Sequence, residues 1–187
     1  MTIEDKFYNA LDEWNKYRAE YESDIGFKIN RTPHTQTHAH SQSPFLHCEG
    51  YKTLVTLGPD IFPYIRNELQ GGPQSRYNNE IYRESKLNEI EQEAREIYQR
   101  LFKTKNPNFN RLTEQGRKND KLLLKDPQYN QLLDKRGILE VGDPKTLWCH
   151  LISAITPEFE NPAKTSFFPD PAYTSYALSW LEQKLGK

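Results

Sequence analysis

Long apolar runs are missing from this sequence, and cysteine is nearly missing. No stretch of about 18 apolar residues occurs, so we expect no membrane-spanning helix and no membrane partner. Cys48 and Cys149 are the only cysteines, too few for a disulfide framework. The first residues lack the basic-then-apolar layout of a signal peptide. Because disulfides mark oxidising compartments, a reduced, cytoplasmic protein is the simpler expectation.

A surplus of charge of one sign is also absent. The chain has 25 Lys and Arg residues against 26 Asp and Glu, which gives no global argument for nucleic acid or for a membrane surface. Hydrophobic residues make up only 35% of the sequence, but aromatic residues, at 12%, carry much of the apolar area that a core needs. With 187 residues, we expect a single domain over 1–187 that carries a large insertion.

Motifs typical of catalysis are absent as well. The glycine pair at 71–72 is not followed by the Lys-Ser/Thr of a phosphate-binding loop, and neither His-Glu-x-x-His nor Gly-x-Ser-x-Gly occurs. Each cysteine has a histidine beside it, but sequence neighbours rarely point at each other. These pairs are His47 with Cys48 and Cys149 with His150. Cys149 also lies in an apolar stretch, where a free thiol packs as a small hydrophobe. We therefore expect no catalytic residue, no cofactor and no enzymatic activity.

Helical periodicity dominates what is present. Apolar residues recur at three- and four-residue steps and no alternating strand pattern is convincing, so the sequence predicts an all-α fold. The most apolar stretches, 51–65 and 143–155, are the best candidates for the core. Four residues are expected to meet there: Leu54, Ile65, Trp148 and Trp180. The first amphipathic helix, 3–22, has an opposite face of charged residues that includes Asp12.

Capping and breaking residues set the predicted helix boundaries. An Asp followed by Pro is a typical helix start, and a Gly after the last apolar residue is a typical stop. Residues 24–47 and 158–169 are expected to be irregular. The first four predicted helices are 3–22, with Thr2 as cap and Gly26 as stop, Glu49–Leu57, 59–70 and 78–103. The next two are 111–124 and a helix from Asp126-Pro127 to a stop at Gly137. The last two run from Asp143-Pro144 to Pro157 and onward from Asp170-Pro171.

Residues 74–140 are predicted to form an inserted helical hairpin or small bundle. Five residues of the first helix step by 3, 4, 3 and 4, which is the narrow seam of a coiled coil. They are Leu87, Ile90, Ala94, Ile97 and Leu101. Such a seam needs a partner surface, since one helix of this kind is not stable in water by itself. Later leucines of the insertion are expected to supply it: Leu112, Leu122, Leu123, Leu132 and Leu133.

Packing residues carry a family resemblance. They are Tyr51, Leu57-Gly58, Pro63, Ile65 to Leu69, Trp148, Ile155-Thr156, and Ala177 with Trp180-Leu181. In this pattern, over about a third of the chain, the sequence resembles a family of small bacterial helical proteins of uncharacterised function. The resemblance implies a paired-helix (HEAT-like) core and says almost nothing about chemistry. The segment 71–142 and the ending Lys184-Leu185-Gly186 depart from the family pattern.

Four of the five histidines fall in the polar stretch 24–47. Imidazole is a good zinc ligand, and a loop can fold around a metal. The spacing matches no standard zinc pattern, however, and the stretch is rich in Thr, Gln and Ser, as solvated loops are. A surface loop is therefore the main expectation. A metal-dependent enzyme that uses His34, His38 and His40 is the third functional hypothesis.

A basic run extends from residue 103 to residue 125. Its cations are Lys103, Lys105, Arg111, Arg117, Lys118, Lys121 and Lys125, against only Glu114 and Asp120. Such a cluster can contact phosphates, and Phe102 and Phe109 are near enough in sequence for base stacking. No recognised nucleic-acid motif accompanies the charge, so a solvated helix face balanced by the acidic stretch 84–96 is preferred.

Protein binding is the leading functional hypothesis. The surplus of aromatic residues, the paired-helix core and the seam-bearing insertion favour a non-enzymatic protein that acts by binding another protein, because aromatic residues are enriched in interfaces as well as in cores. The alternative is a nucleic-acid-binding module that uses residues 103–125.

Overall fold

The computed structural model describes residues 1–29, 44–164 and 170–186, and throughout these ranges the regular structure is helical. The predicted all-α fold is confirmed. The α-helices are α1 (Ile3–Ile29), α2 (Glu49–Leu57), α3 (Phe62–Gln70), α4 (Glu80–Phe102), α5 (Glu114–Leu123), α6 (Pro127–Val141), α7 (Leu147–Ile155) and α8 (Pro171–Leu185). Short 3₁₀ turns precede α2 and α3, at Pro44–Leu46 and Gly58–Ile61. None of the described helices is both long and apolar enough to cross a membrane.

Side-chain caps begin the helices where the sequence predicts them. Thr2 Oγ1 accepts a hydrogen bond from the Asp5 N–H at 3.1 Å, and the Asp5 carboxylate accepts one from the Thr2 N–H at 2.8 Å. This reciprocal pair satisfies two amides that the first turn of α1 leaves unpaired. Asp126 and Asp170 cap α6 and α8 through their carboxylates in the same way.

Two predicted helix stops are wrong. α1 continues through Gly26 to Ile29, and α6 continues through Gly137 to Val141. A glycine inside a helix costs only about 1 kcal/mol relative to alanine, so tertiary packing can override it. At Gly137 the packing is visible, because a Cβ atom there would lie 3.3 Å from the Ala19 methyl of α1. Here the glycine allows two helices to approach closely.

The predicted start of α7 at Asp143-Pro144 is displaced by one turn. The helix begins at Leu147, and the residues before it form a turn in which Lys145 has a φ of +52°. The carboxylate of Asp143 accepts a hydrogen bond from the Lys145 N–H at 3.0 Å, so it caps this turn and not the helix.

The main core lies among α1, α2, α3, α7 and α8. α2 packs against α1 and α7, while α8 packs against α3 and α7. Trp148 is fully buried, and its ring meets the edge of Trp14 with centroids 6.0 Å apart. Leu54 and Ile65 are fully buried in the same cluster, as predicted. Trp180 packs at the edge of this core, against Phe62 and Phe159, and stays partly exposed.

The insertion has a second, smaller apolar cluster built mainly by α4 and α6. Ile90 and Ile97 of the predicted seam are buried in it, together with two later leucines, Leu123 and Leu132. The other expected partners are wrong, because Leu112, Leu122 and Leu133 are 90%, 47% and 39% exposed. Aromatic rings take their place: Tyr98 lies 5.3 Å from Phe109 and 6.2 Å from Tyr129, centroid to centroid.

The insertion also packs on α1. Along the contact between α1 and α6, Lys16 forms an ion pair with Asp134 at 2.9 Å, and Ile138 packs against the main core. The loop before α4 contacts α1 as well, through a hydrogen bond from the Tyr77 hydroxyl to the Asp12 carboxylate. Segment 74–140 therefore combines its own apolar cluster with a polar and apolar contact to the first helix.

Candidate functional site

An open groove runs between α4 and α6 and is called here the α4–α6 groove. Its volume is about 320 Å³, and its walls are mostly apolar and aromatic. The apolar lining consists of Leu87, Ile90, Ala94, Tyr98, Tyr129, Leu132 and Leu133. The narrow seam explains the groove, since two helices that touch along one line leave the flanks of that line open. The small Ala94 in the middle of the seam adds depth.

The rim of the groove is positively charged. It carries Arg95, Lys105 and Arg136 against Glu91 alone. Arg95 lies 3.5 Å from Glu91, and Arg136 lies 2.6 Å from Glu140, a contact that raises the pKa of its guanidinium. Lys105 forms no ion pair with any residue that the structure describes. An apolar groove with a basic rim suits a ligand with an apolar stripe and acidic edges.

Exposed apolar side chains concentrate in the insertion. Of the seven large hydrophobic residues exposed in the described ranges, five lie in 74–140, which is little more than a third of the chain. These five are Ile81, Leu112, Leu122, Leu124 and Leu133. They lie on separate helices and turns, and of the five only Leu133 lines the α4–α6 groove.

The basic run is partly neutralised within itself. Arg111 pairs with Asp120 at 3.0 Å and Lys118 with Glu114 at 2.7 Å, while Arg117 donates to two backbone carbonyls of the turn before α5. Among the described residues, no ion pair joins the basic run to the acidic stretch 84–96. Its ion-paired glutamates face Lys86, Arg95 and Lys135 instead.

Five cations of the basic run form no ion pair within the described ranges: Lys103, Lys105, Arg117, Lys121 and Lys125. The aromatic residues that could stack on bases are already engaged. Phe102 and Phe109 pack edge to face, 5.8 Å apart, against the cluster of the insertion. The structure thus reduces the surface that a nucleic acid could use.

The proposed metal ligands His34, His38 and His40 lie outside the described residues, so the metal site stays a prediction. Within 1–29, 44–164 and 170–186, no three His, Cys, Asp or Glu side chains are grouped so as to hold a metal ion. The Cys149 thiol is buried and donates to the Tyr173 carbonyl, and burial raises its pKa to about 12. Burial also raises the pKa of Cys48. Neither thiol has the lowered pKa of a nucleophilic cysteine.

A second cavity, called here the junction cavity, lies where α1, α4, α6 and the loop before α4 meet. Its volume is about 300 Å³. It is lined by Asp12, Arg76, Tyr77, Tyr82, Lys86, Glu89, Ile90, Glu93, Lys135, Ile138 and Leu139. The sequence did not predict this cavity, and its periodicity placed Asp12 on the solvent face of α1. Residues from four separate segments form the cavity, so no local pattern marks it.

A buried carboxylate fixes the loop that carries two of these residues. Glu68 is fully buried. Its oxygens accept hydrogen bonds from the Tyr8 hydroxyl at 3.0 Å, the Ser75 hydroxyl at 2.8 Å and the amides of Arg76 and Tyr77 at 2.8 and 3.0 Å. A buried charge is tolerated only with such partners, so these four bonds hold the loop to α1 and α3.

Opposite charges line the junction cavity. Burial raises the pKa of Asp12, although the Tyr77 hydroxyl donates to its Oδ1. Burial also raises the pKa of Tyr77, which therefore keeps its proton. The Arg76 guanidinium stacks 3.8 Å above the Tyr8 ring and forms no ion pair with any described residue.

Comparison with known proteins identifies no relative. No family model matches the chain, and neither a curated protein nor a solved structure matches it. The HEAT-like resemblance therefore stays a prediction, and the function has to be argued from the surfaces of the molecule.

Proposed function

We propose that this protein works by binding a partner protein on the helical insertion and is not an enzyme. The observation that carries the proposal is the open, largely apolar α4–α6 groove, in which Leu133 is 39% exposed. Covering the apolar wall of this groove would be favourable in water, which gives a partner a driving force to bind there. The α4–α6 groove gives this surface a shape that a partner can fill.

The occupant best matched to the groove is an amphipathic helix. From Leu87 to Tyr98 the groove follows α4 for about 16 Å, at about 1.5 Å per residue, which corresponds to three helical turns. A third helix laid beside α4 and α6 would place its apolar stripe on Leu87, Ala94 and Leu133. Recognition of this kind uses anchors at positions i, i+3 or i+4, and i+7.

The charges of the rim indicate which residues should lie beside the apolar stripe of the partner helix. Lys105, Arg95 and Arg136 favour acidic residues beside the apolar stripe of the partner helix. A second copy of this chain is a poorer occupant, since a symmetric contact through the groove would place these three cations against themselves. We therefore propose a partner helix of acidic character, met in the cytoplasm, where the thiols of this protein would stay reduced.

The experiment compares two leucines of the insertion. Leu133 lines the groove, whereas Leu112, although 90% exposed, does not. Leu133→Glu should abolish capture of the partner from lysate of the native host, and Leu112→Glu should leave it unchanged. Reversing the charge of the rim with Arg95→Glu and Arg136→Glu should weaken capture of the partner as well. Equal capture by the wild-type and Leu133→Glu proteins would show that the binding surface is elsewhere.

Salt and nuclease separate this proposal from nucleic-acid binding through 103–125. Binding to phosphates through five or more cations should weaken steeply between about 50 and 200 mM salt, whereas an apolar interface should change little. Capture that nuclease abolishes, and that Lys121→Ala with Lys125→Ala weakens, would favour the alternative. Capture that resists nuclease and fails only in the groove variants would support a protein partner.

A further inference from the structure

Two opposite charges face the junction cavity without pairing with each other. Arg76 is close enough to lower the pKa of Asp12, yet the two groups do not form an ion pair. Asp12 Oδ1 accepts from Tyr77, and Oδ2 accepts no hydrogen bond from a described residue. A half-buried carboxylate and guanidinium left apart in one cavity favour a ligand that can satisfy both.

We propose that the junction cavity binds a small zwitterion with an apolar side chain, of the chemical class of the α-amino acids. Its carboxylate would pair with Arg76, its ammonium group with Asp12, and its side chain would lie on the apolar wall. This site is separate from the proposed partner-binding function and does not depend on it.

The anion-binding half of the site is held in place before any ligand arrives. The Arg76 guanidinium is stacked on Tyr8, and its backbone amide is fixed by Glu68. A guanidinium presents a planar fork of donors that matches the two oxygens of a carboxylate. Because the stacked side chain has already lost much of its rotational freedom, less entropy is lost on binding.

The cation-binding half is the Asp12 carboxylate. The Tyr77 hydroxyl occupies one oxygen and orients the group, which leaves the other oxygen as the acceptor for an ammonium group. Desolvation disfavours the charged form of Asp12, as its raised pKa indicates, and a bound ammonium group would offset that cost.

Among the charged residues that line the junction cavity, Arg76 and Asp12 are the two left to recognise a ligand. The other charges are paired at the rim, Lys86 with Glu89 at 2.7 Å and Lys135 with Glu93 at 3.8 Å. Ile90, Ile138, Leu139 and the ring of Tyr82 supply apolar surface. The volume of about 300 Å³ lies at the lower end of the range for ligand pockets, which suits a molecule of amino-acid size.

The first test uses the full-length wild-type protein and three matched probes, measured by titration calorimetry. L-leucine carries both charges, leucinamide only the positive one, and N-acetyl-leucine only the negative one. Leucine should bind at least about tenfold more tightly than either analogue. If leucine, methionine and phenylalanine all fail to bind, or if one singly charged analogue binds as tightly as leucine, the proposal is wrong.

The second test assigns each half of the site. Arg76→Gln should remove the preference for leucine over leucinamide, and Arg76→Lys should restore part of it. Asp12→Asn should remove the preference for leucine over N-acetyl-leucine. Lys86→Gln, which changes a lining charge that is already paired, is the matched control and should leave both preferences intact. If Lys86→Gln reduced the preference for leucine over leucinamide as much as Arg76→Gln does, the assignment of Arg76 to the carboxylate would be wrong. Capture of the protein partner should be unaffected by all four substitutions, so the two proposals can fail separately.

Discussion

The indole of Trp148 donates a hydrogen bond of 2.5 Å from Nε1 to the carboxylate of Asp143, and both side chains are buried. The second oxygen of Asp143 accepts from the Lys145 amide, and the Asp143 carbonyl accepts from the Arg18 guanidinium at 3.3 Å. One residue thus joins the central tryptophan of the main core, the turn that leaves the insertion, and the first helix. This position makes it a sensitive point for stability.

Asp143→Ala should destabilise the fold by about 2–4 kcal/mol, because it leaves the buried Trp148 indole without an acceptor and also removes the acceptor of the Lys145 amide. Asp143→Asn should cost less, since its amide oxygen can still accept from the indole. Urea denaturation measures both changes. Asp134→Ala removes an exposed pair with Lys16 and serves as the control, with an expected cost below about 1 kcal/mol. A similar small cost for Asp143→Ala would contradict the assigned role.

The junction cavity should make stability depend on pH through Asp12. Burial raises its pKa above the ordinary 3.8, against the opposing effects of the Tyr77 hydrogen bond and the Arg76 charge, and nearby Glu68 raises it further. The folded state therefore holds this proton more tightly than the unfolded state does. The resulting stabilisation is complete below pH 3.8 and is lost as the pH rises through the folded-state pKa.

Asp12→Asn tests that direction. Asparagine keeps an acceptor for Tyr77 but cannot ionise, so the variant should be more stable than the wild type at neutral pH. Its advantage should shrink as the pH falls toward 3.8. Free energies of unfolding, measured for both proteins across this range without added amino acids, give the difference directly. An advantage that stays constant with pH would show that Asp12 titrates normally in the fold.

Local signals in the sequence predict local structure well. The caps at Thr2, Asp126 and Asp170 are correct, because a side chain that bonds its own first turn needs nothing from the rest of the fold. The glycines Gly58 and Gly71 end their helices at positive φ for the same reason. The wrong stop at Gly137 depends on α1, more than a hundred residues earlier, which no local pattern reports.

Partners across the chain are harder to predict. Periodicity identifies the seam of α4 but not what covers it, and Tyr98, Phe109 and Tyr129 take the place expected for Leu112 and Leu122. The candidate site shows the same limit. Asp12 and Tyr77 are 65 residues apart and meet where Glu68 anchors the loop that carries Tyr77. Nothing in the pattern around Asp12 distinguishes it from its solvated neighbours.

The histidine stretch leads to a prediction from sequence alone, because His34, His38 and His40 lie outside the described residues. If they belong to a solvated loop, replacing all three with Ser should change the free energy of unfolding by less than about 0.5 kcal/mol, the usual range for surface changes. Elemental analysis of protein purified without a histidine tag provides the second measurement. Stoichiometric zinc in the wild type that is lost in the triple variant would favour a metal site over a solvated loop.

α2 crosses α1 at close range at Gly50. A Cβ atom at this position would lie 2.5 Å from the Trp14 amide nitrogen and 2.6 Å from the Ala10 carbonyl oxygen. Both contacts are with the backbone of α1, so no side-chain rotation can relieve them. Gly50→Ala should therefore push the helices apart and destabilise the fold by about 2–3 kcal/mol, even though alanine favours the helix by about 1 kcal/mol.

Gly72→Ala is the matched control for this substitution. A Cβ atom at Gly72 would have nothing within 4 Å, and the residue has no positive φ, so the same change there should alter stability by less than about 0.5 kcal/mol. Thermal and urea unfolding of the two variants measure the contrast. Tryptophan fluorescence should also change in Gly50→Ala, because the displaced segment of α1 carries Trp14, whose indole donates to the Phe45 carbonyl at 2.8 Å. A Gly50→Ala protein as stable as Gly72→Ala would mean that α1 and α2 can separate without loss, and that the main core does not depend on their close contact.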